Sequence, residues 1–147
     1  MREKTAHVHK VLDILKRTYP TAHCILRYKT PWQLLVAVQL SAQCTDKMVN
    51  TVTPALFKKY PTAQQTASAP IGDLERLVHS TGFYRNKAKN LKACAKRVTT
   101  AFGGNVPRTM QELVSLPGVA RKTANIILGN VFGVVEGIAV EIGRAHV

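Results

Sequence analysis

The chain has 147 residues, of which 46% are apolar, and carries 21 Lys and Arg against 8 Asp and Glu. That length suits one domain with a proper core, the apolar share excludes a disordered chain, and no apolar run approaches the roughly 18 residues of a membrane-spanning helix. A formal charge of +13 calls for a polyanionic partner, and charge alone does not separate nucleic acid from anionic lipid.

Val8, Val11, Leu12 and Leu15 fall at i, i+3, i+4 and i+7, which predicts a first helix ending before Pro20. Thr30-Pro31 opens a second helix. Its Trp32, Leu34, Leu35, Val36 and Val38 are so continuously apolar that it should be the central buried one. A third helix starts at the cap pair Thr45-Asp46 and fades around Pro61, with Pro54 predicting a kink or an earlier stop. A short segment follows, then a helix over about 73–80 that ends at Gly82. The next helix, about 84–102, is basic and ends at Gly103-Gly104. Thr109 with Glu112 reads as a capping box for a short helix over 110–115. A last helix covers about 120–132. No β-alternation and no repeat interrupts this pattern, so the fold class is all-α.

From Arg76 to Gln111 there are eight cations and no acid. Arg85, Lys89, Lys92 and Lys96 recur at helical spacing and form a stripe, while Ala88, Leu91, Ala95 and Val98 repeat on another face. Such a stripe is either an ordinary solvated face or a phosphate-facing one. Cys24, Cys44 and Cys94 lie far apart in the sequence. They match no zinc or iron–sulfur spacing, so no metal site is expected from them. With a charged, amphipathic beginning and free thiols, the chain reads as a soluble intracellular protein.

The stretch LPGVARKTANIILG, 116–129, sets a Pro-Gly turn directly before two cations and an apolar helix. Unpaired N–H groups at that turn, the positive end of the helix dipole and Arg121 together describe an anion site. Gly118 allows close approach to the backbone. Lys122 lies roughly opposite the apolar face made by Ala120, Ala124, Ile127, Leu128 and Val131, where Gly129 leaves space beside it. The helix dipole and Arg121 both disfavour its charge, which makes a neutral, nucleophilic amine easier to reach. On this pattern alone Lys122 is as much a phosphate contact as a nucleophile.

LPGVARKTAN, together with LSAQCTD at 40–46 and TGFYRNKA at 81–88, resembles the endonuclease III family of helix-hairpin-helix DNA glycosylases. The resemblance covers nearly the whole chain. It implies a six-helix domain at 21–135 that includes the helix-hairpin-helix at 109–132. Residues 1–20 would be the first helix of a second lobe completed by the C-terminal region, with double-stranded DNA between the lobes and no membrane involved. It implies removal of oxidised pyrimidines and cleavage 3′ to abasic sites, with Lys122 attacking the sugar C1′ to form a Schiff base. By the same resemblance Gln43 fills the gap left by the flipped nucleotide and Phe83 wedges against the opposite strand. Leu116, Gly118 and Ala120 would hold a phosphate through the hairpin backbone, with Arg121, Arg85 and Lys89 as further DNA contacts. Read without the family, the lesser alternative for Phe83 is a core aromatic following a turn. Relatives that excise adenine opposite damaged guanine carry another residue at the lysine position, so Lys122 implies the lyase-competent branch. Ala120 replaces the commoner second hairpin glycine and keeps its N–H, provided that φ is negative there.

The chain departs from the family at its end. Family members read Ile-Ala-Val-Asp-Thr-His-Val where this chain reads Ile138-Ala139-Val140-Glu141-Ile142-Gly143-Arg144. Glu141 thus falls on the position of the catalytic aspartate, one methylene longer. The four-cysteine loop that would hold the family's 4Fe-4S cluster has no counterpart. The heptapeptide EIGRAHV resembles the translation of a common sequencing adapter, which makes 136–147 a truncated tail and implies impaired activity. A non-catalytic helix-hairpin-helix module that binds DNA is the other reading.

Overall fold

Among the described residues eight α-helices form from these signals: α1 (Arg2–Thr18), α2 (Pro31–Leu40), α3 (Asp46–Lys59), α4 (Ala63–Ser68), α5 (Ile71–Val78), α6 (Tyr84–Phe102), α7 (Met110–Val114) and α8 (Arg121–Ile127). The computed structural model describes residues 2–139, with side chains from residue 5 onward. Among these residues there is no strand, and no helix is long and apolar enough to cross a membrane.

The all-α expectation holds, and α2 is central as its sequence predicts. Trp32, Leu34, Leu35, Val36, Ala37, Val38 and Leu40 are all buried. A helix with no polar face must be enclosed on every side. Here α3, α6 and α8 pack against it, α4 and α5 pack on α6, and α7 packs on α8. Each supplies an apolar stripe: Val49 and Leu56 from α3, Leu74 and Val78 from α5, Leu91 and Val98 from α6, Leu113 from α7, Ala124 and Ile127 from α8. Asp73 ties α5 to α3 by accepting from the Tyr60 hydroxyl (2.6 Å) and pairing with Lys59 (2.5 Å). Lys59 first, then Tyr60 and Arg76, hold its carboxyl well below the usual carboxylate range.

Several local expectations need correction. Pro54 does not stop α3, which runs on to Lys59 because Val52, Thr53 and Leu56 are buried on either side of it. The capping box forms at Thr62 and Gln65, where the side chain of each meets the other's backbone N–H. At Thr109 half of the motif forms: its hydroxyl caps the Glu112 N–H, and the Glu112 carboxylate accepts from that hydroxyl instead of from the backbone. The helix expected over 73–80 starts earlier, at Ile71, and closes with a 3₁₀ turn at His79–Thr81 before Gly82. The last helix does not continue as α to Phe132; Leu128–Phe132 widens into a π-turn that Gly133 ends at φ +65°.

The apolar stripe of α1 stays uncovered, with Val8, Val11, Leu12 and Leu15 each 41–53% exposed. Stability therefore rests on the packing around α2. Leu35→Ala is expected to cost about 2–5 kcal/mol in urea denaturation, through lost transfer energy and a residual cavity. Lys96→Ala, on the exposed side of α6, should stay within about 0.5 kcal/mol. Equal effects of the two would contradict this placement of the core.

Candidate active site

Three loops converge at the C-terminal end of α2. The first, 41–45, links α2 to α3. Ser41 N–H bonds back to Ala37 O (3.0 Å), Cys44 N–H closes a turn on Ser41 O (3.1 Å), and the Thr45 hydroxyl caps α3 at the Met48 N–H (3.3 Å). Gln43 sits in that turn at φ +50°. The second loop joins the 3₁₀ turn to α6 through Gly82 (φ +70°) and Phe83 (φ +47°). The Phe83 carbonyl accepts from Lys87 N–H to begin α6.

Gln43 and Phe83 are the two non-glycine residues with positive φ among the described residues. A side chain in left-handed backbone costs roughly 1–2 kcal/mol, and such strain clusters at functional positions. Phe83 is 66% exposed, so it is not a core aromatic. The backbone strain of both residues lies around a single recess of about 200 Å³, lined by Gln43, Phe83, Asn86, Asn90, Gln39 and Gly118 among others.

The hairpin forms the third loop. Val119 N–H bonds to Leu116 O (3.1 Å), and Gly118 lies at φ +75°. A Cβ on Gly118 would sit 3.3 Å from Asn90 Cβ and 3.4 Å from Gln39 Oε1, so the position needs glycine for both conformation and space. Gln39 Nε2 donates to the Pro117 carbonyl (3.3 Å), and its Oε1 is buried without a hydrogen-bond partner among the described residues. Leu116 is buried and anchors the turn, while Gly118 and Ala120 are exposed. Ala120 caps α8 at φ −98°, in the negative range that its N–H needs to point outward with the helix start.

Lys122 is half-buried in a second recess, of about 370 Å³, which also reaches the end of α2 at Val38 and Ser41. His23, Ser41, Asp46, Ile126 and Asn130 line it with Lys122. Asn50 holds the wall at 25–27 in place, accepting from Arg27 N–H (2.8 Å) and donating to Ile25 O (3.0 Å). Gly129 does not make the space beside the lysine; it is exposed, and the helical positions that share the recess are Ile126 and Asn130, four and eight residues on. Glu141 lies outside the described residues. Asp46, in the first turn of α3, is a carboxylate that does line the recess.

The cationic stripe of α6 is broken. Arg85, Lys89 and Lys96 are exposed, and Arg85 lies over the Tyr84 ring at 5.5 Å. Lys92 instead turns to the Ala69 carbonyl (2.5 Å), while Asn86, Lys87 and Asn90 line the recess on a neighbouring face. Neither asparagine stands out in the sequence. Their spacing of four beside TGFYRNKA was the available signal, masked by the attention that charge attracts.

An iron–sulfur cluster of the implied type takes four thiolates, and the chain has three cysteines. Burial pushes the Cys94 thiol up to about 11, and among the described residues no three metal-binding side chains converge. These residues do not fit a cluster.

Two helices joined by a Pro-Gly hairpin, closing onto a recess and backed by a half-buried lysine, define a helix-hairpin-helix protein. Residues 36–144 match the HhH-GPD superfamily of base excision DNA repair proteins, and the chain belongs to that superfamily. Endonuclease III of Synechocystis is 52% identical over 141 residues, covering 96% of this chain and 64% of that protein. Endonuclease III of Bacillus subtilis is 47% identical over 130 residues, covering 88% and 59%. The chain thus spans roughly three fifths of the length of the curated relatives it matches. An endonuclease III trapped as a covalent intermediate with DNA superposes with a TM-score of 0.87 at 44% identity, covering 92% of this chain and 63% of that one. A thermostable thymine-DNA glycosylase shares the fold, with a TM-score of 0.83 at 23% identity.

Glycine adopts φ near +50° without the clash that a Cβ brings. Gln43→Gly and Phe83→Gly should therefore hold stability or raise it by up to about 1 kcal/mol in chemical denaturation. A loss larger than about 1 kcal/mol would mean that these side chains serve the fold instead of an external partner.

Proposed function

We propose that the chain carries the DNA-gripping and nucleophile-bearing part of a base-excision glycosylase that also cleaves abasic sites. The observation that carries this reading is the recess between Gln43 and Phe83, two strained side chains at its rim, closed by the hairpin glycine Gly118. A fold that needed only loops would place glycine at both strained positions. Side chains kept there despite the strain suit insertion into a base stack: Gln43 into the gap left by a flipped nucleotide, Phe83 against the opposite strand. The exposed hairpin at Gly118 and Ala120, with Leu116 anchoring it, suits a backbone phosphate, and Arg121, Arg85 and Lys89 add charge around it.

Lys122 is the nucleophile in this reading. Its Nζ attacks C1′ of the damaged nucleotide, and the bond from C1′ to the base breaks with the base leaving. Loss of the amine proton and opening of the sugar give an iminium between Nζ and C1′. The iminium acidifies the C2′ hydrogens, so removal of one expels the 3′ phosphate and cuts the strand. The Asp46 carboxylate in the recess suits stabilisation of the positive charge that develops on the sugar. Glu141 takes the sequence position of the family's aspartate and shares that role. Oxidised pyrimidines and abasic sites in duplex DNA are the substrates in this reading, which suits a cytoplasmic protein at the bacterial nucleoid or one otherwise inside the cell. The uncovered stripe on α1 supports assigning residues 1–20 to a second lobe, apart from a six-helix domain over 21–135.

Borohydride trapping on a duplex with one abasic site tests the chemistry. The chain should form a covalent complex, and Lys122→Ala should reduce it by about 10³-fold or more. No complex from a chain with intact helical circular dichroism would leave a DNA-binding module without the lyase step. The grip is tested separately by titrating undamaged duplex at several salt concentrations. Arg85→Ala and Lys89→Ala should each lower the slope of log K against log salt by about 1; unchanged slopes would remove those side chains from the interface.

A further inference from the structure

Leu40 ends α2, and its carbonyl, like that of any residue in a last helical turn, has no intrahelical partner. The residue is 0% exposed, so a buried carbonyl must be satisfied from within the protein. Lys87 does this, its Nζ donating to Leu40 O at 2.8 Å. The same ammonium donates to Thr81 O at 2.7 Å. Leu40 stands at the head of the loop that carries Gln43, and Thr81 at the head of the loop that carries Phe83. The two residues are 41 positions apart in sequence, and one side chain bridges their carbonyls. Lys87 is also a lining residue of the recess between Gln43 and Phe83. Burial lowers its pKa from the ordinary lysine value, and its neighbours Arg85 and Lys89 are exposed where it is not.

We propose that Lys87 is a positioning residue that clamps the Gln43 and Phe83 loops to one point, so that both side chains meet a duplex at a fixed separation. A surface cation on this helix would contribute to general affinity for DNA. A clamp between two carbonyls instead contributes to discrimination between damaged and intact duplex, because discrimination depends on both probes entering together. The inference rests on the reading that Gln43 and Phe83 enter the base stack.

The experiment compares the full chain with Lys87→Met, Lys87→Arg, Gln43→Ala and Phe83→Ala. Each binds an undamaged duplex and a duplex holding a tetrahydrofuran abasic analogue, with 2-aminopurine opposite the analogue to report unstacking. Lys87→Met should cut the preference for the abasic duplex by about tenfold and remove the fluorescence rise. Affinity for undamaged duplex and its salt slope should change by less than about twofold. Lys87→Arg, which keeps charge and donors, should restore most of the preference. Should Lys87→Met fail to fold, Lys87→Gln, a shorter donor, carries the comparison and should show a partial loss. Full preference in a folded Lys87→Met or Lys87→Gln, while Gln43→Ala and Phe83→Ala lose it, overturns the clamp and leaves the probes standing. Full preference in both probe variants overturns the probe reading and the clamp with it.

Discussion

Satisfying the carbonyls at the end of a buried helix is the constraint around which the site is arranged. The last four carbonyls of α2 have no helical partners of their own, and burial of the helix keeps water from them. Each finds a protein donor: Ser41 N–H on Ala37, the Ser41 hydroxyl on Val38, Ala42 N–H on Gln39, and the Lys87 ammonium on Leu40. The first three fold the chain back tightly enough to put Gln43 into a left-handed turn. The fourth reaches across to α6 and its loop. Gln39, one residue before the end, holds the hairpin through Pro117. Three distant segments thus meet at the end of α2 because apolar burial leaves its polar groups nowhere else to turn.

The two recesses at that terminus differ in kind. One has exposed, strained side chains at its rim and asparagines along its wall, a shape suited to probing a surface from outside. The other encloses a half-buried lysine with a serine, a histidine and a carboxylate among apolar neighbours, a setting suited to chemistry on a group brought in. Under the proposed function, nucleotide flipping would link the two, with the base stack probed at one and the extruded sugar presented at the other.

Much of this was legible in the sequence. The unbroken apolar run of α2, the span of the basic helix from Tyr84 to Phe102 and the start of α3 at Thr45 follow from propensity and capping, which act locally. Gln43, Phe83 and Lys122 were found through three motifs, and the first two prove to share a recess. What escaped depends on contacts between distant segments. Nothing local distinguishes Lys87 from Arg85 or Lys89; only the path of the Leu40 and Thr81 carbonyls turns it inward. Pro54 reads as a helix breaker until burial of Val52, Thr53 and Leu56 outweighs its missing N–H. The π-turn after Ile127 likewise has no sequence mark, because an α-helix and its wider variant share the same apolar spacing.

The contact between Gly118 and Asn90 has a mechanical consequence. With 3.3 Å between Asn90 Cβ and the place where a Cβ on Gly118 would stand, the hairpin rests directly on α6, which Phe83 immediately precedes. The element that would hold one strand's phosphate and the one that would touch the opposite strand are therefore packed against each other. Under the proposed function, elements packed in this way would leave deformation to fall on the DNA. Smooth bending of a site of this size costs about 1–6 kcal/mol, and less where stacking is already interrupted. A protein of this shape would find damage by its compliance, testing how readily each stretch of duplex yields before any base is recognised.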